Sequence, residues 1–464
     1  MPGSGREEER EDGRRRRHAV PRADQGVWEP PPGRLDPVAV VEAQNRSRIA
    51  DLVALRVGRM AQSPFAFLRG AALVMAHDLA MTPDTGLDVQ VCGDAHLANF
   101  GIFASPERAL LFDVDDFDET DVGPWEWDVK RLCASAAVLS RHRGHPAPAQ
   151  RAAAAAAASS YRSWMGRYAS MGELDLWYSR VDVDAAARVI GAGAGRTARS
   201  EARAEVRAGA ASARRDTAAA VLPKLAALAP DGSTRIVDHP PLVTHEGVDP
   251  HHELLHGVLA GYLASLEEDR RAVVGRFEVA DFARKVVGVG SVGTGCYLAL
   301  LLDETGRPLL LQVKEADRSA LDQAGGAAHV PGRHRGPGAE GRRVVDGQRR
   351  MQAASDPFLG WAHAGGTDFH VRQLRDMRAS IDPGSMSAGA LADYAALCGW
   401  VLARGHARST GAAGAARIAG YLGSSDAFDQ ALGSFAVAYA DQTEADHAAL
   451  VTAVRAGRLP AFTG

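Results

Sequence analysis

The chain has 464 residues, 46% of them hydrophobic and 24% charged, an ordinary globular composition with room for a sizeable core. Lysine and arginine number 53 against 57 aspartate and glutamate, which excludes a global electrostatic drive toward nucleic acid or membrane surfaces. The cysteines Cys92, Cys133, Cys296 and Cys398 form no CxxC pair, and neither an apolar signal core nor a membrane-length apolar run is present, so a cytoplasmic protein without a disulfide framework is expected.

In chain order, residues 1–35 mix charge with proline and glycine, which predicts a disordered tail whose Arg14–Arg17 run is solvated. Residues 36–275 read as a helical lobe. A helical stretch from Pro37 to Ala80 contains Ser63-Pro64, a cap followed by proline at the first helical position. VQVCGDAHLANFGIF then reads as a strand running into a loop, and ALLFDVDDFDET as a strand ending in acids. GPWEWDVKRLCASAAVLSRH reads as a turn into a helix, and residues 150–275 as helical apart from the loop HPPLVTHEG. Residues 276–380 are β-rich, with ETGRP as a turn between two strands, a helix over Gly341–Ala354 and a strand at HVRQLRDM. Residues 381–464 are C-terminal helices that complete the helical lobe.

Three motifs carry chemistry. In GDAHLAN, Asp94 and Asn99 stand five apart on one loop, where phosphoryl transfer places a carboxylate for the acceptor hydroxyl and an oxygen ligand for magnesium. A polar turn with Asx hydrogen bonds is the alternative. In FDVDDFDE, five acids in eight residues repel one another unless a cation or solvent offsets them. Strand alternation puts Asp113 and Asp115 on one side and Asp116 on the other, until the strand ends. The alternative there is a solvated acidic turn.

The third motif is Gly288-Val289-Gly290-Ser291-Val292-Gly293. A dinucleotide fold would need a helix next, yet TGCYLALLLDETGRPLLLQVK reads as two strands, which fits a glycine-rich cover over nucleotide phosphates. Such a cover wants a lysine on the following strand, and Lys314 stands in an otherwise apolar run. A lysine snorkelling at a strand end is the alternative. Its candidate carboxylate partners are Asp346 and Glu340, although an i,i+4 pair with Arg350 accounts for Asp346 equally well.

The motifs GDAHLANFG, FDVDDFDET, GPWEWDVKRL, VVGVGSVGTGCYLALL, LQVKEA, VVDGQRRMQAASDPFLGW and HVRQLRDM resemble the bacterial family called domain of unknown function 2252, from about Asp36 to Gln442. Their logic also resembles the aminoglycoside phosphotransferase and choline kinase branch of the protein-kinase-like superfamily. That resemblance implies an α+β, two-lobed fold with a small antiparallel β lobe and a large helical lobe. The fold would be circularly permuted, because the catalytic and metal loops precede the glycine loop. The LAxxHA pattern of the helix LADYAALCGWVLARGHARS, far downstream of the catalytic strand, is what such a reordering would leave.

Carried over residue by residue, the resemblance makes Asp94 the catalytic base, Asn99 and Asp116 the magnesium ligands, and Asp128 the helix aspartate that steadies the catalytic loop. Gly288, Gly290, Ser291 and Gly293 become the phosphate loop and Lys314 the phosphate-contacting lysine. Asp346 stands where glutamate is usual, and Gln373 to Asp376, including Leu374, lie near an adenine-binding hinge. The expected activity is ATP- and magnesium-dependent phosphoryl transfer to a small-molecule or protein acceptor, with nucleotidyl transfer as a variant and no nucleic-acid or membrane partner. A metal-dependent phosphoesterase built on Asp94, His96, Asp113 and Asp116 is one alternative, and a nucleotide-binding regulatory module without catalysis is another.

Overall fold

The Ser63 hydroxyl accepts from Ala66 N at 3.1 Å, with Pro64 at the first helical position, as the sequence predicts. The Pro37–Ala80 stretch is divided there and at two further breaks into helices Pro37–Asn45, Ala50–Ala61, Pro64–Gly70 and Ala72–Leu79. The computed structural model describes residues 4–189, 196–229, 232–246, 248, 251–327, 334–374 and 377–462, and it is a mixed α+β protein with antiparallel sheets.

The largest core is helical. Helices Trp125–His142, Ala147–Tyr168, Ala388–Leu422 and Ala427–Arg455 pack together. Their small residues permit close approach: Ala153, Ala154, Ala157 and Ala158 are fully buried, and a Cβ on Gly399 would come within 2.3 Å of the Ala157 carbonyl. No described helix is long and apolar enough to cross a membrane.

The N-terminal residues correct the expectation of a disordered tail. Ser4–Arg16 is a helix lying along Ala388–Leu422. It needs little apolar area because glycines let the two backbones touch: a Cβ on Gly13 would meet Arg417 O at 1.9 Å, and one on Gly420 would meet Arg10 O at 2.1 Å. The basic run is also employed. Arg14 pairs with Glu11 at 2.9 Å, while Arg17 donates to Tyr421 O at 2.8 Å and Arg22 to Leu422 O at 2.7 Å, satisfying carbonyls at a helix C-terminus.

The second unit is a six-stranded antiparallel sheet in the order Gly360–Ala364, Thr367–Gln373, Pro308–Glu315, Cys296–Leu302, Glu278–Lys285, Val243–Thr244. ETGRP is the turn between its third and fourth strands in that order. Its start corrects the boundary at residue 275. Helix His252–Ser265 buries Leu255, Val258, Leu259 and Tyr262 against Phe282, Leu311 and Phe369 of the sheet, so it belongs to the β unit rather than to the helical one. An apolar stripe at helical spacing does not reveal which core it faces.

Two small sheets set the site. Asp88–Val91 pairs with Asp121–Pro124, Val91 opposite Asp121, which brings the loop after the first strand beside the end of the acidic run. Phe100–Ala104, Leu110–Val114 and Ala379–Ser380 form the other.

Candidate active site

Gly93 begins the Asp94 loop at φ +80°, and a Cβ there would lie 2.0 Å from the Glu119 carbonyl, so only glycine fits between the two loops. Asp128, in the first turn of Trp125–His142, accepts from Cys92 N at 2.8 Å and Gly93 N at 3.0 Å. Its other contact is His406 Nε2 at 3.1 Å, and His406 Nδ1 meets the Tyr161 hydroxyl at 2.9 Å. The imidazole thus bridges the carboxylate and the phenol, and each of its ring nitrogens has a partner. All three side chains are buried, and Gln90 N donates to Ser409 Oγ at 3.3 Å, tying the long helix Ala388–Leu422 to the strand before the loop.

Asp94 Oδ1 accepts from Arg131 Nε at 2.5 Å. Burial, with Asp116 nearby, pushes its carboxyl up to about 6 against the pull of Arg131. Asn99 donates its amide to Asp94 O at 2.9 Å and Asp116 O at 3.4 Å, which leaves its side-chain oxygen out of these bonds.

The acidic run divides. Asp113 points into the helical core, where Arg404 Nη2 holds it at 2.7 Å and Ala353 N donates at 3.0 Å. Asp115, Asp116 and Asp118 instead line one cavity of about 1010 Å³. The expected sharing of a face by Asp113 and Asp115 fails because the strand ends at Val114. Arg378 holds Asp115 at 2.6 Å. Burial alone would raise Asp116, but Lys314 and Arg372 hold it well below the usual carboxylate range. Asp118 is pushed up by burial and by Asp116.

Gly288, Gly290 and Ser291 line the same cavity, as do Lys314, Asp94 and Asn99. Gly293 closes the loop at φ +90° against the Arg48 side chain. The loop is latched by Arg59 to Gly288 O at 2.6 Å, Arg48 to Val292 O at 2.7 Å and Ile49 N to Gly293 O at 2.8 Å. Lys314 pairs with Asp118 and donates to Ser291 Oγ at 2.9 Å, while Ser291 Oγ donates to Asp118 at 3.0 Å. Burial would lower this lysine, but Asp118 and Asp116 raise it, so it stays charged.

Three expected residues lie elsewhere. Asp346 is partly exposed beside Arg342 at 3.5 Å and His334 at 3.6 Å, away from Lys314. Its helix turns Val344, Val345 and Gln348 inward, so position 346 faces out. The other candidate partner, Glu340, is held by Arg343 at 2.6 Å. Arg343 reaches the site from this helix, donating to Asp118 O at 3.0 Å and Asp317 O at 2.7 Å. Gln373 gives its N–H to Asp356 at 2.5 Å and lines a separate pocket of about 330 Å³. Leu374 does line the main cavity, but its N–H donates to Leu310 O at 2.8 Å. Arg375 and Asp376 lie outside the described residues.

Sequence reasoning missed Asp118, Arg131, Arg343, Arg48 and Arg69. Only Asp118 carried a signal, as one acid of a crowded run. One further pattern, His252-Glu253-Leu254-Leu255-His256, has zinc-helix spacing, with ring centroids 4.7 Å apart beside Phe282. Both histidines are exposed, and among the described residues no three His, Cys, Asp or Glu side chains converge on a metal position.

Fold and site together define a protein with one polar cavity between a helical unit and an antiparallel sheet, walled by acidic and glycine-rich loops. Residues 48–453 match the family described as uncharacterized protein conserved in bacteria (DUF2252), and the chain belongs to that family. No curated protein and no solved structure matches it.

Proposed function

We propose that this protein is an ATP- and magnesium-dependent phosphotransferase with a kinase-like fold in circularly permuted order. One observation carries the reading: the glycine loop and Lys314 line a single cavity with Asp94, Asn99 and Asp116, although about 200 residues separate the two groups. Phosphoryl transfer asks mainly for positioning and charge stabilisation, and these are the parts it uses.

The donor set suits the cofactors. Asn99 and Asp116 present oxygen ligands of the kind a hard divalent cation prefers, and would hold magnesium, which supplies charge neutralisation to the phosphates. Lys314 and the amides around Gly288, Gly290 and Ser291 would bind the phosphates. Asp94 would accept the proton of the acceptor hydroxyl as its oxygen bonds to phosphorus and the bond to the leaving nucleotide breaks. Asp128, with His406 and Tyr161 behind it, positions the Asp94 loop. Asp118, rather than the expected Asp346, would be the anion that keeps Lys314 extended until phosphate replaces it. The phosphoesterase reading has less support, because Asp113 is committed to Arg404.

Thermal denaturation of the full chain tests the proposal. MgATP should raise the melting temperature by mass action, and Lys314→Ala should remove most of that shift. No shift in the parent protein, or an unchanged shift in Lys314→Ala, would overturn it.

A further inference from the structure

The cavity extends past Asp94 to a wall built by the helices Pro37–Asn45, Pro64–Gly70 and Ala72–Leu79. One arginine on this wall, Arg69 of Pro64–Gly70, differs from the other arginines around the site. Arg131 is paired with Asp94 and Arg378 with Asp115. Arg69 makes no side-chain hydrogen bond or ion pair among the described residues, and its Nε is buried without a partner. Arg48 has one bond, to the Val292 carbonyl, and no carboxylate at ion-pair distance among the described residues.

The acids nearest Arg69 have other partners: Asp94 carries Arg131, and Asp382 accepts from Gly384 N at 2.9 Å. Arg48 differs, with Glu119, Asp317 and Asp118 within electrostatic reach. Burial lowers Arg69 against the pull of Asp94 and Asp382, and lowers Arg48 against that of Glu119, Asp317 and Asp118. A partly desolvated guanidinium without an anion is costly, and its planar fork matches carboxylate and phosphate oxygens.

We infer that this half of the cavity is the acceptor site and that Arg69 binds an oxyanion carried by the acceptor. The acceptor is then a small hydroxylated acid, a phosphate monoester or a free carboxylate, rather than a neutral sugar or a cationic amine. The inference rests on the phosphotransferase reading for the word acceptor, but the anion site stands on its own geometry.

Calorimetric titration of the full chain with inorganic phosphate and, separately, with malonate tests it, with and without saturating MgADP. Phosphate or malonate should bind the MgADP-loaded protein and also Lys314→Ala, because the anion site is separate from the nucleotide phosphates. Arg69→Ala should weaken that binding about ten- to a hundredfold, the span of a lost charge-assisted contact, while MgADP affinity changes less than about twofold. Arg69→Gln gives a second loss should Arg69→Ala fold poorly. Phosphate preferred over malonate marks a phosphate-bearing acceptor, and the reverse a carboxylate. Anion binding that MgADP abolishes would overturn the inference, since Arg69 would then belong to the nucleotide site. No binding of either anion, or binding indifferent to Arg69, would also overturn it. Failure of MgADP to bind the parent protein, with Arg69-dependent anion binding retained, would remove the phosphotransferase reading and leave the anion site in place.

Discussion

Two buried ion pairs grow from opposite ends of one acidic run, and they serve different purposes. At one end Asp113 meets Arg404, with side chains 2% and 1% exposed, sealed in the helical core. Five residues on, Asp118 meets Lys314, with side chains 24% and 4% exposed, on the cavity wall. The first pair has no exchange partner: Arg404 Nε and Nη1 are already buried without hydrogen bonds, so its charge depends on Asp113. The second has others to hand, since Lys314 also donates to Ser291 Oγ and feels the charge of Asp116. A sealed pair fixes geometry, whereas an open one can give up its anion to a ligand.

The largest effect expected from breaking this comparison is Asp113→Ala. It strands Arg404 in the core and should lower unfolding free energy by about 3–5 kcal/mol in urea titration, typical for removing one partner of a buried pair. A loss below about 1 kcal/mol would put the two pairs in the same class.

Asp94→Ala sharpens the functional side. Turnover should fall by about two to four orders of magnitude, the contribution of a general base, while nucleotide affinity scarcely changes. Loss of ATP binding in this variant would move Asp94 into the nucleotide site.

The pH dependence of turnover follows from the same group. Asp94 is held up to about 6, so it carries its proton below that pH and cannot accept another. Turnover should rise with pH through about 6 and level off above it. A limb near 4 would mean that Arg131 dominates over burial.

The smallest effect expected on stability is that of Asp118→Ala, less than that of Asp113→Ala, because Ser291 and Asp116 remain for Lys314. Its MgATP affinity should rise, since phosphate no longer competes with a resident carboxylate. Weaker nucleotide binding would make Asp118 a ligand rather than a placeholder.

Local signals in the sequence determined much of this protein. Glycine before Asp94, the Ser63-Pro64 cap, the ETGRP turn and a lysine in an apolar strand each depend on neighbours a few residues away. Backbone torsion, capping and alternation act over that range. The helical N-terminus was not legible, because composition reports apolar burial and not the backbone contact that Gly13 and Gly420 permit. Nor was the partner of Lys314. Asp346 and Asp118 are both acids in suitable motifs, and only the rotation of one helix about its axis turns Asp346 outward and leaves Asp118 facing the lysine, 196 residues away in the chain. That Arg69 has no carboxylate partner among the described residues was beyond local reading for the same reason. An arginine's need for a counter-ion depends on which carboxylates the fold has already spoken for, and that is settled by tertiary packing alone.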